Sequence, residues 1–139
     1  MNTMPPTLQI ALQIAVAMQF GIAVLNLALI RIMGWKKDLE DLPVLIREVF
    51  HVHVWFISIT LTIFAIMTWR FLDKLTTNPA CRWLAAAAGI FWAIRAVLQM
   101  TYYSSSHWRG QFGRTAVHVA CLLIYGGFAS VYLSTALGR

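Results

Sequence analysis

Charged residues are scarce in this 139-residue chain: they make up 12% of it, with eleven Lys and Arg against five Asp and Glu. A soluble globular domain carries about 25% charged residues. The chain is also 60% hydrophobic, which argues against intrinsic disorder, because disordered segments have low hydrophobicity. The two values together predict a small integral membrane protein.

Cysteines and the motifs of soluble enzymes are also few or missing. Two cysteines, Cys81 and Cys121, lie in different segments without a CxxC motif, which argues against a disulfide scaffold. The sequence contains no Gly-rich phosphate loop, no GxSxG and no HExxH. Its net charge of +6 comes from bases between apolar stretches, where Lys and Arg set topology and contact lipid headgroups. We therefore expect the lipid bilayer as a partner, and no nucleic acid.

Four long apolar stretches are what the sequence does have. Residues 1–30 contain no Asp, Glu, Lys or Arg, and we expect them to hold a retained first span, because a signal peptide would begin with bases. A membrane-spanning helix needs about 20 apolar residues. Spans are predicted over about 8–33, 44–69, 80–106 and 115–137. Because the connections are short, the prediction is an all-α, up-down bundle of four transmembrane helices forming a single domain, 1–139.

The ends of the spans carry their own signals. Pro43 and Pro79 precede spans two and three, with Asp41 and Asn78 as expected helix caps. The stretch 35–47 mixes charges with leucines, as a short amphipathic segment along the headgroups does. Tryptophans, which favour the headgroup region, lie near span ends at Trp35, Trp69, Trp83 and Trp108.

The distribution of bases predicts an orientation. Six bases lie in the 1–2 and 3–4 connections, whereas four lie in the 2–3 connection and at the C-terminus. The positive-inside rule therefore favours cytoplasmic 1–2 and 3–4 connections, with both termini on the opposite side. We expect a membrane of the bacterial inner-membrane type.

Polar residues recur along one stripe of each span. At about 100° per residue, Glu48, His51, Trp55 and Ser58 share a face of span two; Arg95, Gln99 and Tyr102 share one of span three. His118 and Tyr125 share a face of span four with Cys121 and Tyr132, and Gln19 and Asn26 coincide on span one. Polar side chains in a membrane normally face the interior of the protein. The stripes therefore predict a polar pocket near the face that holds the histidines.

Arg95 is the strongest single signal, because a charge inside a span costs about 2.5–3.5 kcal/mol. It requires either a ligand or a structural explanation, such as a pair with Glu48 or extension toward the headgroups. The expected catalytic residues are Glu48, His51, Arg95 and Tyr102. The expected ligand-binding residues are Trp55, Ser58, Gln99 and Tyr125.

The leading hypothesis is a membrane-bound enzyme or redox protein, of oxidoreductase type, that acts on a lipophilic small molecule. Its cofactor would be a heme between His51 and His118, or one transition-metal ion held by Glu48, His51 and His118. A metal-free enzyme with a lipid-like substrate is the first alternative. An accessory subunit of a larger membrane complex is the second, and a small carrier or channel acting as a homo-oligomer is the third.

Small residues predict where helices approach closely. Ala85 to Gly89 on span three form one such stretch. Gly126 and Gly127, with Ala120 and Ala129 nearby, form another on span four.

Overall fold

The computed structural model describes residues 4–102 and 112–138, and every regular element in these ranges is helical. Five α-helices follow one another along the chain, with a 3-10 turn at Leu72–Lys74. They are α1 (Pro6–Ile32), α2 (Lys36–Glu40), α3 (Val44–Arg70), α4 (Pro79–Thr101) and α5 (Phe112–Leu137).

Four of these helices, α1, α3, α4 and α5, are long and apolar enough to cross a membrane. The shortest, α4, has 23 residues, about 35 Å at 1.5 Å per residue, against about 30 Å for a hydrocarbon core. Large apolar side chains such as Val24, Phe56 and Leu123 are mostly exposed, as expected of helices that contact lipid. The predicted set of four long helices is confirmed.

The predicted boundaries agree with the observed ones within three residues, except at the end of span three. Helix α4 ends at Thr101, and Tyr102 is its C-cap. Residues 103–106, where the prediction ended this span, lie outside the described residues, as does Trp108.

The N-terminus of α4 is capped as predicted. Asn78 Oδ1 accepts hydrogen bonds from the backbone N–H groups of Ala80 and Cys81, at 2.9 and 3.3 Å. Pro79 is the first helical residue, where its missing N–H costs nothing.

The expectation for Asp41 was wrong. It does not cap the N-terminus of α3, but forms the C-cap of α2. The amphipathic stretch becomes a helix only over Lys36–Glu40, where Leu39 is buried, so Asp41 lies where that short helix ends. Tryptophan placement follows the prediction: Trp69 and Trp83 are exposed at the ends of α3 and α4.

Two compact units divide the chain. The N-terminal unit is Gln13–Arg70, and the C-terminal unit combines Met1–Leu12 with Phe71–Arg139. The bundle of all four long helices stays a prediction.

Asn26 joins α1 to α3 within the N-terminal unit. Its Nδ2 donates to the carbonyl oxygen of Val54 and to Ser58 Oγ, both at 2.9 Å. Ser58 Oγ in turn donates to the Val54 oxygen at 3.1 Å. Ser58, which the sequence predicted as a ligand-binding residue, is buried and hydrogen-bonded within this helix pair.

Replacing Asn26 with alanine is expected to destabilise the N-terminal unit by about 0.6–1.7 kcal/mol, which spans the average and the largest values measured for hydrogen bonds between membrane helices. Unfolding in an SDS titration, followed by circular dichroism, measures the change. Ser130→Ala is the matched control, because that exposed hydroxyl bonds only its own helix, at Gly126 O. Equal effects of the two substitutions would contradict the assignment.

Small residues let α4 and α5 approach closely in the C-terminal unit. Ala85, Ala88 and Gly89 are buried. A Cβ added at Gly89 would lie 2.8 Å from Leu133 Cγ and Cδ2 and 3.1 Å from the Leu133 backbone nitrogen. The predicted close approach at Ala85–Gly89 is therefore confirmed.

The matching expectation for Gly126 and Gly127 was wrong. A Cβ at either position would meet no described atom within 4 Å. The buried face of α5 instead presents larger side chains, including Phe128 and Tyr132, beside Ala129.

Candidate functional site

Arg95 lies inside the apolar length of α4, about 9 Å before its last residue at 1.5 Å per residue. Its Nη1 donates to Gln99 Oε1, one turn further along, at 3.0 Å. Its Cζ lies 4.7 Å from the centroid of the Tyr125 ring on α5, a cation–π arrangement. One helix therefore supplies the charge, and both helices hold it.

Arg95 has no carboxylate partner in the described part of the chain. The ion pair found there is the exposed Lys36–Glu40 pair, at 4.0 Å. A guanidinium has five N–H donors, and the hydrogen bond to Gln99 uses one of them. Arg95 is only partly buried, and no carboxylate among the described residues neutralises its positive charge.

Gln99 connects Arg95 to His118. Because a guanidinium can only donate, Gln99 must accept through Oε1 and donate through Nε2. Gln99 Nε2 lies 3.0 Å from His118 Nδ1, so Nδ1 accepts this hydrogen bond. This contact corresponds to the His118 tautomer that has its hydrogen on Nε2. Gln99 itself is 4% exposed, which keeps the connection away from solvent.

Aromatic rings enclose the charged end of this network. Trp92, 2% exposed, stacks on Tyr125 with ring centroids 5.4 Å apart and planes 22° from parallel. It also contacts Phe128, with a centroid distance of 4.6 Å. Tyr125 therefore contacts both the Trp92 ring and the Arg95 guanidinium. The arrangement places Arg95 beside an apolar aromatic cluster.

The structure brings together four of the predicted site residues in the C-terminal unit: Arg95, Gln99, His118 and Tyr125. Tyr102, predicted to belong to the same stripe, is 83% exposed at the end of α4. The residues of the two predicted stripes that meet are those spaced by whole helical turns, Arg95 with Gln99 and His118 with Tyr125.

The remaining predicted residues lie on α3, in the N-terminal unit. Glu48, His51 and Trp55 are exposed, and Ser58 belongs to the contact with Asn26. Within the described residues, no group of three or more His, Cys, Asp and Glu side chains is placed to hold a metal ion.

His51 differs from His118 in its tautomer. Its Nδ1 lies 2.7 Å from the carbonyl oxygen of Arg47, and because a carbonyl can only accept, Nδ1 carries the proton. The neutral ring then presents an Nε2 lone pair, the form found in most metal-ligating histidines. In His118 the Nδ1 atom instead accepts the hydrogen bond from Gln99.

Two residues outside the predicted catalytic and ligand-binding residues connect α4 to α5. Trp92 supports Tyr125, and Arg82 ties the opposite end of α4 to α5 by donating from Nε to Ala136 O at 2.8 Å. Trp92 lies on the stripe of Ala85, Ala88 and Gln99, so helical phase indicates that it belongs to the buried face of α4. Arg82 gave no such signal, because its partner is a backbone oxygen.

No protein-family model, no curated protein and no solved structure matches this chain.

Proposed function

We propose that this chain is an integral membrane protein that binds the carboxylate of a lipophilic molecule at Arg95, without a metal ion. The observation that carries the proposal is a guanidinium inside an apolar helix whose described partners are neutral, Gln99 and Tyr125. A charge in that position is costly unless it is paired. A ligand with a negatively charged group and an apolar chain would pair with the Arg95 guanidinium and also contact the apolar side chains around it.

The geometry favours a carboxylate over a neutral carbonyl. Arginine pairs with carboxylates through two parallel N–H···O bonds, and one described hydrogen bond leaves enough donors for that. Exposed apolar side chains nearby on α4, Ile94 and Leu98, suit the first methylene groups of an acyl chain that reaches the site from the bilayer.

The test uses a fatty acid and its ester as a matched pair of probes. Electron paramagnetic resonance of 16-doxyl-stearic acid and of its methyl ester, each added to the purified protein in neutral detergent, gives the immobilised fraction of each. We expect the acid to bind at least about tenfold more tightly, equivalent to about 1.4 kcal/mol. Arg95→Met should abolish this preference, because it removes the positive charge. Methionine is chosen because its side chain is also unbranched.

Arg31→Met is the matched control, since Arg31 is an exposed base at the end of α1. It should leave the preference for the acid unchanged. Equal binding of acid and ester by the wild-type protein, or an unchanged preference in Arg95→Met, would overturn the proposal.

A second candidate, a heme or metal protein, is supported by the His51 tautomer. That ring presents a protein-facing Nδ1–H and an outward lone pair. An ultraviolet–visible spectrum and elemental analysis of the gently purified protein test it directly. A Soret band, or near-stoichiometric metal that is lost in His51→Ala, would support this candidate over the metal-free proposal.

A further inference from the structure

A groove lies at the opposite end of the α4–α5 pair from Arg95. It is open, has a volume of about 350 Å³, and is lined by Pro79, Arg82, Trp83, Ala86, Ala136 and Leu137. All these residues belong to the C-terminal unit. Arg82 and Arg95 are about 20 Å apart along α4 at 1.5 Å per residue, so the groove is separate from the site proposed above.

The lining combines one charge with an apolar floor. Trp83 and Leu137 are 77% and 63% exposed, and Ala86 and Ala136 provide no side chain large enough to fill the space between them. Arg82 is exposed and fixed in place by the bond from its Nε to the Ala136 carbonyl oxygen. That bond leaves both terminal nitrogens of the guanidinium without a protein acceptor among the described residues.

The position of the groove along the helices matches the polar–apolar boundary of a bilayer. It lies in the first turns of α4 and the last turn of α5, beside an exposed tryptophan. Indole rings and arginines are both enriched at this level of membrane proteins. Nearby, Lys74 in the turn before α4 adds a second exposed base.

We infer that this groove binds an anionic phospholipid of the bilayer. The phosphate group is recognised by the terminal nitrogens of Arg82, and the upper part of one acyl chain lies along Trp83, Ala86 and Leu137. Charge complementarity selects the occupant, because a fixed guanidinium at the rim of an apolar groove matches an anion joined to an acyl chain. A zwitterionic lipid carries a cationic ammonium group beside its phosphate. This group reduces the attraction between the headgroup and the Arg82 guanidinium.

Native mass spectrometry of the full chain measures the binding. The detergent-solubilised protein is titrated with dioleoylphosphatidylglycerol or dioleoylphosphatidylcholine, and the lipid-bound fraction is recorded for each. One basic residue near a membrane surface contributes a factor of about five in affinity for anionic lipid. We therefore expect about fivefold stronger retention of phosphatidylglycerol, and its loss in Arg82→Gln.

Two further variants separate the site from general charge and from folding. Arg70→Gln removes an exposed base at the end of α3 and should keep the preference for phosphatidylglycerol. Ala86→Leu fills the groove without changing charge and should weaken retention of both lipids. It tests the inference independently if Arg82→Gln, which also loses the bond to Ala136, does not fold.

Three results would overturn the inference. The first is equal retention of the two lipids by the wild-type chain. The second is an equal loss in Arg82→Gln and Arg70→Gln, which indicates a surface-charge effect. The third is displacement of phosphatidylglycerol by millimolar inorganic phosphate, which indicates a site for free phosphate.

Discussion

Replacing Arg95 with leucine is expected to make α4 insert into a membrane more favourably by about 2–4 kcal/mol. On insertion scales leucine contributes about −0.5 kcal/mol at a helix centre and arginine about +3 kcal/mol. The interactions lost within the protein are smaller: a cation–π contact of about 0.5–2 kcal/mol and one hydrogen bond to Gln99. The substitution should therefore favour insertion while it removes binding of the stearic acid probe.

The insertion of α4 is measured by a glycosylation assay, with Pro79–Thr101 as the test segment in a host membrane protein. Binding is measured on the full chain with the doxyl probes. Arg95→Lys is the control for charge: its insertion should match the wild type, whereas its binding should weaken, because an ammonium group lacks the planar fork.

The two readouts distinguish a ligand-binding Arg95 from a structural one. If Arg95 serves only to hold α4 against α5, Arg95→Leu should lower the stability of the folded chain. In that case the wild-type protein and the variant should both bind the acid and the ester equally well. A gain in insertion combined with lost preference for the acid is expected only if the protein retains a costly charge for a ligand.

Much of this architecture follows from composition and periodicity. A run of about 20 apolar residues has few alternatives to a membrane-spanning helix, which is why the four long helices were predicted with small errors. The faces of α4 and α5 were also predictable, because Arg95 with Gln99, and His118 with Tyr125, are spaced by whole helical turns.

The partner of each polar face was not predictable in the same way. Ser58 was expected to contact a ligand, but it bonds Asn26, a pairing that depends on how far α1 slides along α3. Glycines gave a similar ambiguity. In an apolar helix every face is hydrophobic, so the sequence cannot distinguish a glycine that faces a neighbour, such as Gly89, from one that does not, such as Gly127.

The largest effect on stability is expected at Gly89. Gly89→Ala should destabilise the α4–α5 pair by about 1–3 kcal/mol, the usual cost of overpacking. The new Cβ would meet the Leu133 side chain at 2.8 Å and the Leu133 backbone nitrogen at 3.1 Å. The side chain could rotate away from the new methyl group, but the backbone could yield only by moving α5.

Gly127→Ala is the matched control, because its Cβ meets nothing within 4 Å among the described residues. In a helix, alanine is favoured over glycine by about 0.5–1 kcal/mol, so this variant should be as stable as the wild type or more stable. SDS titration followed by circular dichroism compares the two. Equal shifts would show that α4 and α5 do not rely on close contact at Gly89.

The same substitution connects packing to binding. Trp92 lies one helical turn after Gly89, and it supports the Tyr125 ring that contacts Arg95. In Gly89→Ala, the new methyl group should push α5 away from α4. This shift should weaken binding of 16-doxyl-stearic acid, although Arg95 is unchanged. Adding Leu133→Ala to Gly89→Ala creates space for the new methyl group and should recover part of both the stability and the binding. Recovery of stability without recovery of binding would mean that the site does not depend on the spacing of α4 and α5.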